Sequence, residues 1–171
     1  DPGVPATLEY PQVPIFQFLE IIAEKHPHNT CTIFKGNSLN YRQMNTLVNR
    51  LAAALVDLGV RKGDRVAVFM PNIPQFVLAY FAILKAGGIV VAINPTYKHG
   101  EIAFQLNDSE ACLLLGLKDA QPLLETVQMQ SSIKQLIFTD IEDAFRLPAL
   151  ADLNSPPSEE KNHRLEPSSP S

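Results

Sequence analysis

No glycine-rich phosphate loop, no basic run and no uninterrupted apolar span of membrane length occur in this chain of 171 residues. Each gap excludes a class of function. The eight glycines form neither GxGxxG nor GxxxxGK[ST], so nucleotide phosphates have no evident cradle. The net charge is −4 with both signs scattered, which leaves no electrostatic footprint for nucleic acid or an anionic membrane. The apolar stretch from Phe76 to Ile93 is about as long as a bilayer span. Lys85 and the Gly87-Gly88 pair interrupt it at what would be mid-depth, where a charge costs roughly 3 kcal/mol. Cysteine is scarce: Cys31 and Cys112 lie far apart in apolar runs, as two buried thiols rather than a disulfide or metal pair. That usage favours a reducing, cytoplasmic compartment. The first residues show no basic region followed by an apolar core, so no secretory signal is visible. His26, His28, His99 and His163 have no metal-ligand spacing and read as surface histidines, and Asp140, Glu142 and Asp143 as solvated loop charges.

What is present is organised around residues 64–97. Arg65 to Phe69 (RVAVF) is an apolar run suited to a strand buried on both faces. Pro71 stops it, Asn72 is a candidate cap, Pro74 suits a first helical turn, and Gln75 stands at the third helical position. The helix runs to Lys85, Gly87-Gly88 end it, and Ile89 to Ile93 (IVVAI) is the next buried strand. Two such strands joined by a helix are normally parallel.

Residues 1–14 carry four prolines and read as an extended arm. Residues 15–147 read as one α/β unit. Ile15 to Lys25 is an amphipathic helix packing through Phe16, Leu19, Ile22 and Ala23, with Glu20 and Glu24 facing away. Cys31 to Phe34 and Ser38 to Asn40 form a hairpin about Gly36-Asn37. The most regular stripe is Tyr41, Met44, Leu47, Val48, Leu51, Ala54, Leu55 and Leu58, with Asn40 and Gln43 as a capping pair and Gly59 as the stop. Further cycles come after it: a helix over 100–108, a strand from Cys112 to Leu115, a helix over 118–130, and a strand from Gln135 to Phe138. The pattern predicts an α/β fold with a doubly wound, mainly parallel sheet and helices on both faces. From Pro148 to Ser171 proline, serine and charge displace apolar residues, as in a disordered linker or tail, and a chain ending so looks cut from something larger.

Ligands of such sheets sit beyond the carboxyl ends of the strands. The turn Asn94-Pro95-Thr96-Tyr97 offers there an amide, a hydroxyl and a ring. It also has a purely structural reading, in which Pro95 stiffens it and Tyr97 packs on the next helix. Met70, Pro71 and Asn72 come after the first strand, and Gly116 and Lys118 after the third.

The run YRQMNTLVNRLAAALVDLGVRKGDRVAVFMPNIPQFVLAYFAILKAGGIVVAINPTY, with GEIAFQLNDSEACLLL after it, resembles the amino-terminal part of AMP-forming acyl-CoA synthetases, and within them long-chain fatty-acid-CoA ligases. LGVRKGDRVAVFMPN, the AGG before a strand, and NPTY with Glu101 downstream carry the likeness together, over roughly residues 10–140. The resemblance implies a parent enzyme that joins a fatty acid or other carboxylate to AMP from ATP with Mg²⁺, releases pyrophosphate, and passes the acyl group to the thiol of coenzyme A. The family's phosphate loop, its Tyr-Gly-x-Thr-Glu segment and its carboxy-terminal lysine have no counterpart in the chain. The resemblance therefore implies an amino-terminal subdomain that is silent alone, with no catalytic residue and no tightly bound cofactor of its own. It places Asn94, Pro95, Thr96, Tyr97 and Lys118 beside the nucleotide of coenzyme A. Two alternatives stay open: a non-catalytic binding or assembly module, and a piece of an aryl- or amino-acid-adenylating relative. Oligomeric state is open, as is peripheral membrane association.

Overall fold

Parallel pairing dominates the architecture, and the strand sequence explains why. The computed structural model describes residues 10–146. The expected tail and the first nine residues of the expected arm lie outside that range. Strand β3 (Arg65–Phe69) holds the sheet centre, with Val66, Ala67 and Val68 fully buried. β4 (Ile89–Ile93) and β5 (Leu113–Leu117) pair with it in parallel on either side, and β6 (Gln135–Thr139) pairs in parallel with β5. The order is β4-β3-β5-β6, all parallel, with the winding switching sides between β3 and β5. A separate antiparallel hairpin joins β1 (Thr30–Phe34) and β2 (Asn37–Asn40). Its turn residues are Lys35 and Gly36, at φ 48° and 80°. The expected Gly36-Asn37 turn is thus one residue out, because Asn37 already pairs with Phe34 and a two-residue loop needs positive φ at both positions.

Helices cover both faces. On one lie α1 (Ile15–Lys25), α2 (Tyr41–Asp57) and α3 (Pro74–Lys85), whose buried residues Leu19, Leu47, Leu55, Ala79 and Ile83 form one core with Val66, Val68 and Leu115. On the other, α4 (His99–Asp108) and α5 (Gln121–Gln128) pack Ile102, Leu106, Leu124 and Val127 against Ala67, Phe69 and Leu114. Among the described residues no helix is long and apolar enough to cross a membrane.

Local chemistry sets the helix ends. Asn40 Oδ1 accepts from the Gln43 N–H at 2.8 Å, and Gln43 Oε1 accepts from the Asn40 N–H at 2.9 Å, the expected reciprocal cap. Gly59 stops α2 at φ 99°. Asn72 caps nothing: the cap position of α3 is Ile73, and Pro74 at the first helical position needs no acceptor. Lys118–Ala120 is a 3-10 turn rather than the start of a long helix, and α5 begins at Gln121.

Four further expectations need correction. β4 is an edge strand, with Ile89 50% exposed, rather than one buried on both faces. The α2 stripe drifts: Ala52 is buried while Ala54 and Leu58 are exposed, because a 3.6-residue helix rotates away from a straight row and Val60 caps the core instead. Glu20 does not face away but forms an ion pair with Lys85, whose ammonium also bonds Asn49 and lies over the Phe16 ring, so one cation ties α1, α2 and α3 together. Both thiols are half-buried, and burial raises the pKa of each above the ordinary cysteine value.

Leu55 is 0% and Leu58 45% exposed. Leu55→Ala should therefore cost about 2–5 kcal/mol of stability in urea melts, while Leu58→Ala stays within about 0.5 kcal/mol. Equal losses would contradict this orientation of α2.

Candidate functional site

In a sheet of this winding, ligands settle outside the carboxyl ends of the strands, where the connections diverge. Here that edge carries Met70 to Ile73 after β3, Asn94 to Tyr97 after β4, Lys118 after β5 and Asp140 after β6.

The turn after β4 is self-contained. Asn94 Oδ1 accepts from the Thr96 N–H at 3.0 Å and from Thr96 Oγ1 at 2.9 Å, and the Tyr97 N–H donates to the Asn94 carbonyl at 3.1 Å. Pro95 presets the φ of such a turn. Asn94, Pro95 and Thr96 are exposed, while Tyr97 packs against the core that α4 closes. The structural reading of this turn is therefore present in full, and the exposed edge remains free for a ligand. Lys118 is elsewhere. It pairs with Asp140, and among the described residues no hydrogen bond or ion pair joins it to the β4 turn, because β3 lies between β4 and β5. The hydrogen bond to Asp140 and the charge of that carboxylate hold the Lys118 pKa above the ordinary lysine value.

The three acidic residues after β6 serve the chain itself. The Asp143 carboxylate accepts from the Asp140 N–H at 2.7 Å and from Thr139 Oγ1 at 3.1 Å, and so opens a short helix, α6 (Asp143–Arg146), where the charge run suggests only a loop. Those hydrogen bonds, the backbone one first, with Lys118 and Arg146 nearby, hold the Asp143 pKa below the usual carboxylate value. Glu142 pairs with Arg146 one turn on. His26 and His28 are exposed as expected, but His99 is half-buried with Nε2 unpartnered.

Gln75 is the residue whose role the sequence hides. Only 5% exposed, it sits in the first turn of α3, and its Nε2 donates to the carbonyls of Asp140, at 3.0 Å, and Ile141. One amide thus clamps the turn after β6 onto α3. Beside it opens a groove of ≈ 530 Å³ between α2, α3 and strands β5 and β6, walled by Leu47, Leu51, Leu78, Leu115 and Ile137, with Arg50 and Arg146 at its lining. Only the three-dimensional arrangement assembles these separated residues.

The carboxyl edge does not fit a nucleotide triphosphate or its Mg²⁺. A phosphate cradle needs several free backbone N–H groups or cations at one place. α3 and α5 carry Pro74 and Pro122 in their first turns, the Glu101 carboxylate occupies the start of α4 by accepting from the Lys98 N–H at 2.8 Å, and Lys118 is held by Asp140. Among the described residues no group of three His, Cys, Asp or Glu side chains is placed to hold a metal ion.

Comparison with known proteins shows the family to which this fold belongs. A model of the AMP-binding enzyme family matches residues 19–171. The long-chain-fatty-acid–CoA ligase of Bacillus subtilis is 34% identical over 145 residues, covering 85% of this chain and 26% of that protein. The crotonobetaine/carnitine–CoA ligase of Escherichia fergusonii is 32% identical over 133 residues, covering 74% and 26%. Among solved structures, a long-chain-fatty-acid-CoA ligase from Archaeoglobus fulgidus superimposes with a TM-score of 0.75 at 25% identity, over 81% of this chain and 30% of that one. A fatty acyl CoA synthetase from Mycobacterium tuberculosis does so at 0.69 and 28%, over 81% and 27%. The chain spans about a quarter of the length of the curated relatives it matches.

Because the folded Asp143 pKa lies below its unfolded value, the group adds stability above about pH 4 and loses it as pH falls through the folded pKa. Asp143→Asn should lower the unfolding free energy slightly at pH 7, by roughly 1 kcal/mol or less for so exposed a group. That difference should shrink as pH falls through the folded pKa; a difference independent of pH would refute the carboxylate's role.

Proposed function

The chain belongs to the AMP-binding enzyme family, and from that premise we propose that it is the amino-terminal subdomain of an ATP- and coenzyme A-dependent acyl-CoA ligase acting on long-chain fatty acids. The observation that carries the proposal is the 34% identity to a long-chain ligase over a sheet whose carboxyl edge holds no triphosphate cradle. The parent reaction joins a carboxylate to the AMP portion of ATP, expels pyrophosphate, and transfers the acyl group to the sulfur of coenzyme A with release of AMP. The subdomain supplies scaffold to that reaction, and is catalytically silent by itself.

Within the parent, the exposed edge of Asn94, Pro95, Thr96 and Tyr97 borders the nucleotide of coenzyme A. Lys118 borders it as well only where Asp140 releases it. Compartment and peripheral attachment are those of the parent enzyme, for which a cytoplasmic setting is proposed. The carnitine-type relative, at 32% identity, leaves the long-chain preference as the first point to test.

ATP–pyrophosphate exchange driven by palmitate should be at background with this chain alone, and exchange above background would overturn its silence. A chimera carrying residues 10–146 in place of the matching stretch of the Bacillus subtilis ligase should recover exchange. In that chimera Tyr97→Ala should raise the KM for coenzyme A severalfold and leave exchange, which needs no coenzyme A, unchanged. A chimera that folds cooperatively and still fails to exchange would sink the family role assigned to these residues.

A further inference from the structure

The groove between α2, α3, β5 and β6 adjoins the carboxyl edge of the sheet: Met70, just past the end of β3, and Thr139, at the end of β6, are both on its lining. Its walls are mostly aliphatic, and ≈ 530 Å³ is far more space than one or two bridging waters need. Gln75, also on the lining and only 5% exposed, keeps its Oε1 without a hydrogen-bond partner while its Nε2 is bonded to the turn after β6. A buried acceptor left so costs about 1–3 kcal/mol until a donor reaches it. Arg50, exposed on the lining, takes part in none of the four ion pairs among the described residues. An occupant that fits all of this is apolar, brings an N–H or O–H to Gln75, and carries an anion toward Arg50.

A polypeptide has that mixture, and the chemistry of adenylation says where it comes from. The carboxyl edge holds no phosphate cradle, so an enzyme built on this sheet has to bring its phosphate donors there on another part of its chain. That part must rest on a surface beside the edge, and the groove offers apolar walls at that place. The match takes up 26% of each curated relative, which leaves about three quarters of such a protein to cover it. Within one molecule the tether supplies a high effective concentration, so the packing needs little affinity of its own.

We propose, on the premise of the parent enzyme above, that this groove is the seat of that second part. Apolar side chains from it cover Leu51, Leu78 and Ile137, one of its N–H or O–H groups donates to Gln75 Oε1, and one of its carboxylates pairs with Arg50. The amide that clamps the turn after β6 onto α3 then holds the incoming chain as well, so the strand end at Thr139 and the second part are fixed together. The seat touches no reacting atom, and it is independent of which acid the parent activates.

Labelling of Arg50→Cys by N-ethylmaleimide, read on its own peptide by mass spectrometry, compares the chain alone with the chimera that carries residues 10–146 in the Bacillus subtilis ligase. Labelling should be fast in the chain and severalfold slower in the chimera. Equally fast labelling in a chimera that sustains ATP–pyrophosphate exchange would overturn the seat and leave the family reading standing. Slow labelling in the chain alone would also overturn it, since the groove would then be closed without the rest of the parent. Arg50→Glu should leave the melting midpoint of the chain unchanged and lower that of the chimera by several degrees; the same shift in both would sink the pairing assigned to Arg50.

Discussion

Two-sided burial of β3 is the constraint on which the rest of the molecule depends. A strand with Val66, Ala67 and Val68 fully buried can exist only where helices cover both faces. Neighbours that run parallel to it cannot be joined by tight turns, so each connection has to cross the sheet as a helix. α3 makes the first crossing on one face, and α4 the second on the other. The same geometry collects the ends of all four strands along one edge, which is why Met70, Asn94, Lys118 and Asp140 share an edge while lying far apart in sequence. At the opposite edge Arg65 bonds the Ser109 carbonyl at 2.9 Å and the Glu110 carboxylate at 2.6 Å, fixing where α4 hands over to β5.

Most of this is legible in the sequence because its causes are local. A run such as RVAVF between a charged turn and Pro71 allows few conformations, and the Asn40 and Gln43 pair is a cap readable at a spacing of three. The misreadings share a cause as well: they concern which neighbour an element meets. β4 has the composition of a buried strand, yet only the order of the sheet puts it at an edge. Glu20 is on the polar side of its own helix, yet Lys85 arrives from α3, sixty-five residues later, to pair with it. Asn72 has the chemistry of a cap, but the chain bends there, with the Ile73 N–H on the Pro71 carbonyl, and α3 starts two residues on.

Site residues are less legible than the fold, for the same reason. The turn from Asn94 to Tyr97 is built from consecutive residues, so both its rigidity and its exposed edge can be read from them. Lys118 stands out as a lone cation after a strand, and only the register of β6 against β5 shows Asp140 beside it. Gln75 has the look of a capping residue, because nothing in the first turn of α3 announces that its amide bonds carbonyls after β6. A groove has no sequence signature when its walls come from α2, α3, β5 and β6 in turn.

Most contacts between the elements of this chain join neighbours in sequence or strands one crossover apart, with the Glu20–Lys85 pair and the Gln75 clamp as longer ties. The chemistry of adenylation needs phosphate donors, a carboxylate pocket and a thiol approach at one point, and the carboxyl edge supplies none of the first. Prolines in the first turns of α3 and α5 add to that lack, since they start helices firmly while removing the N–H groups that would bind an anion. A helix start can be optimised for stability or for holding phosphate, and these two serve stability.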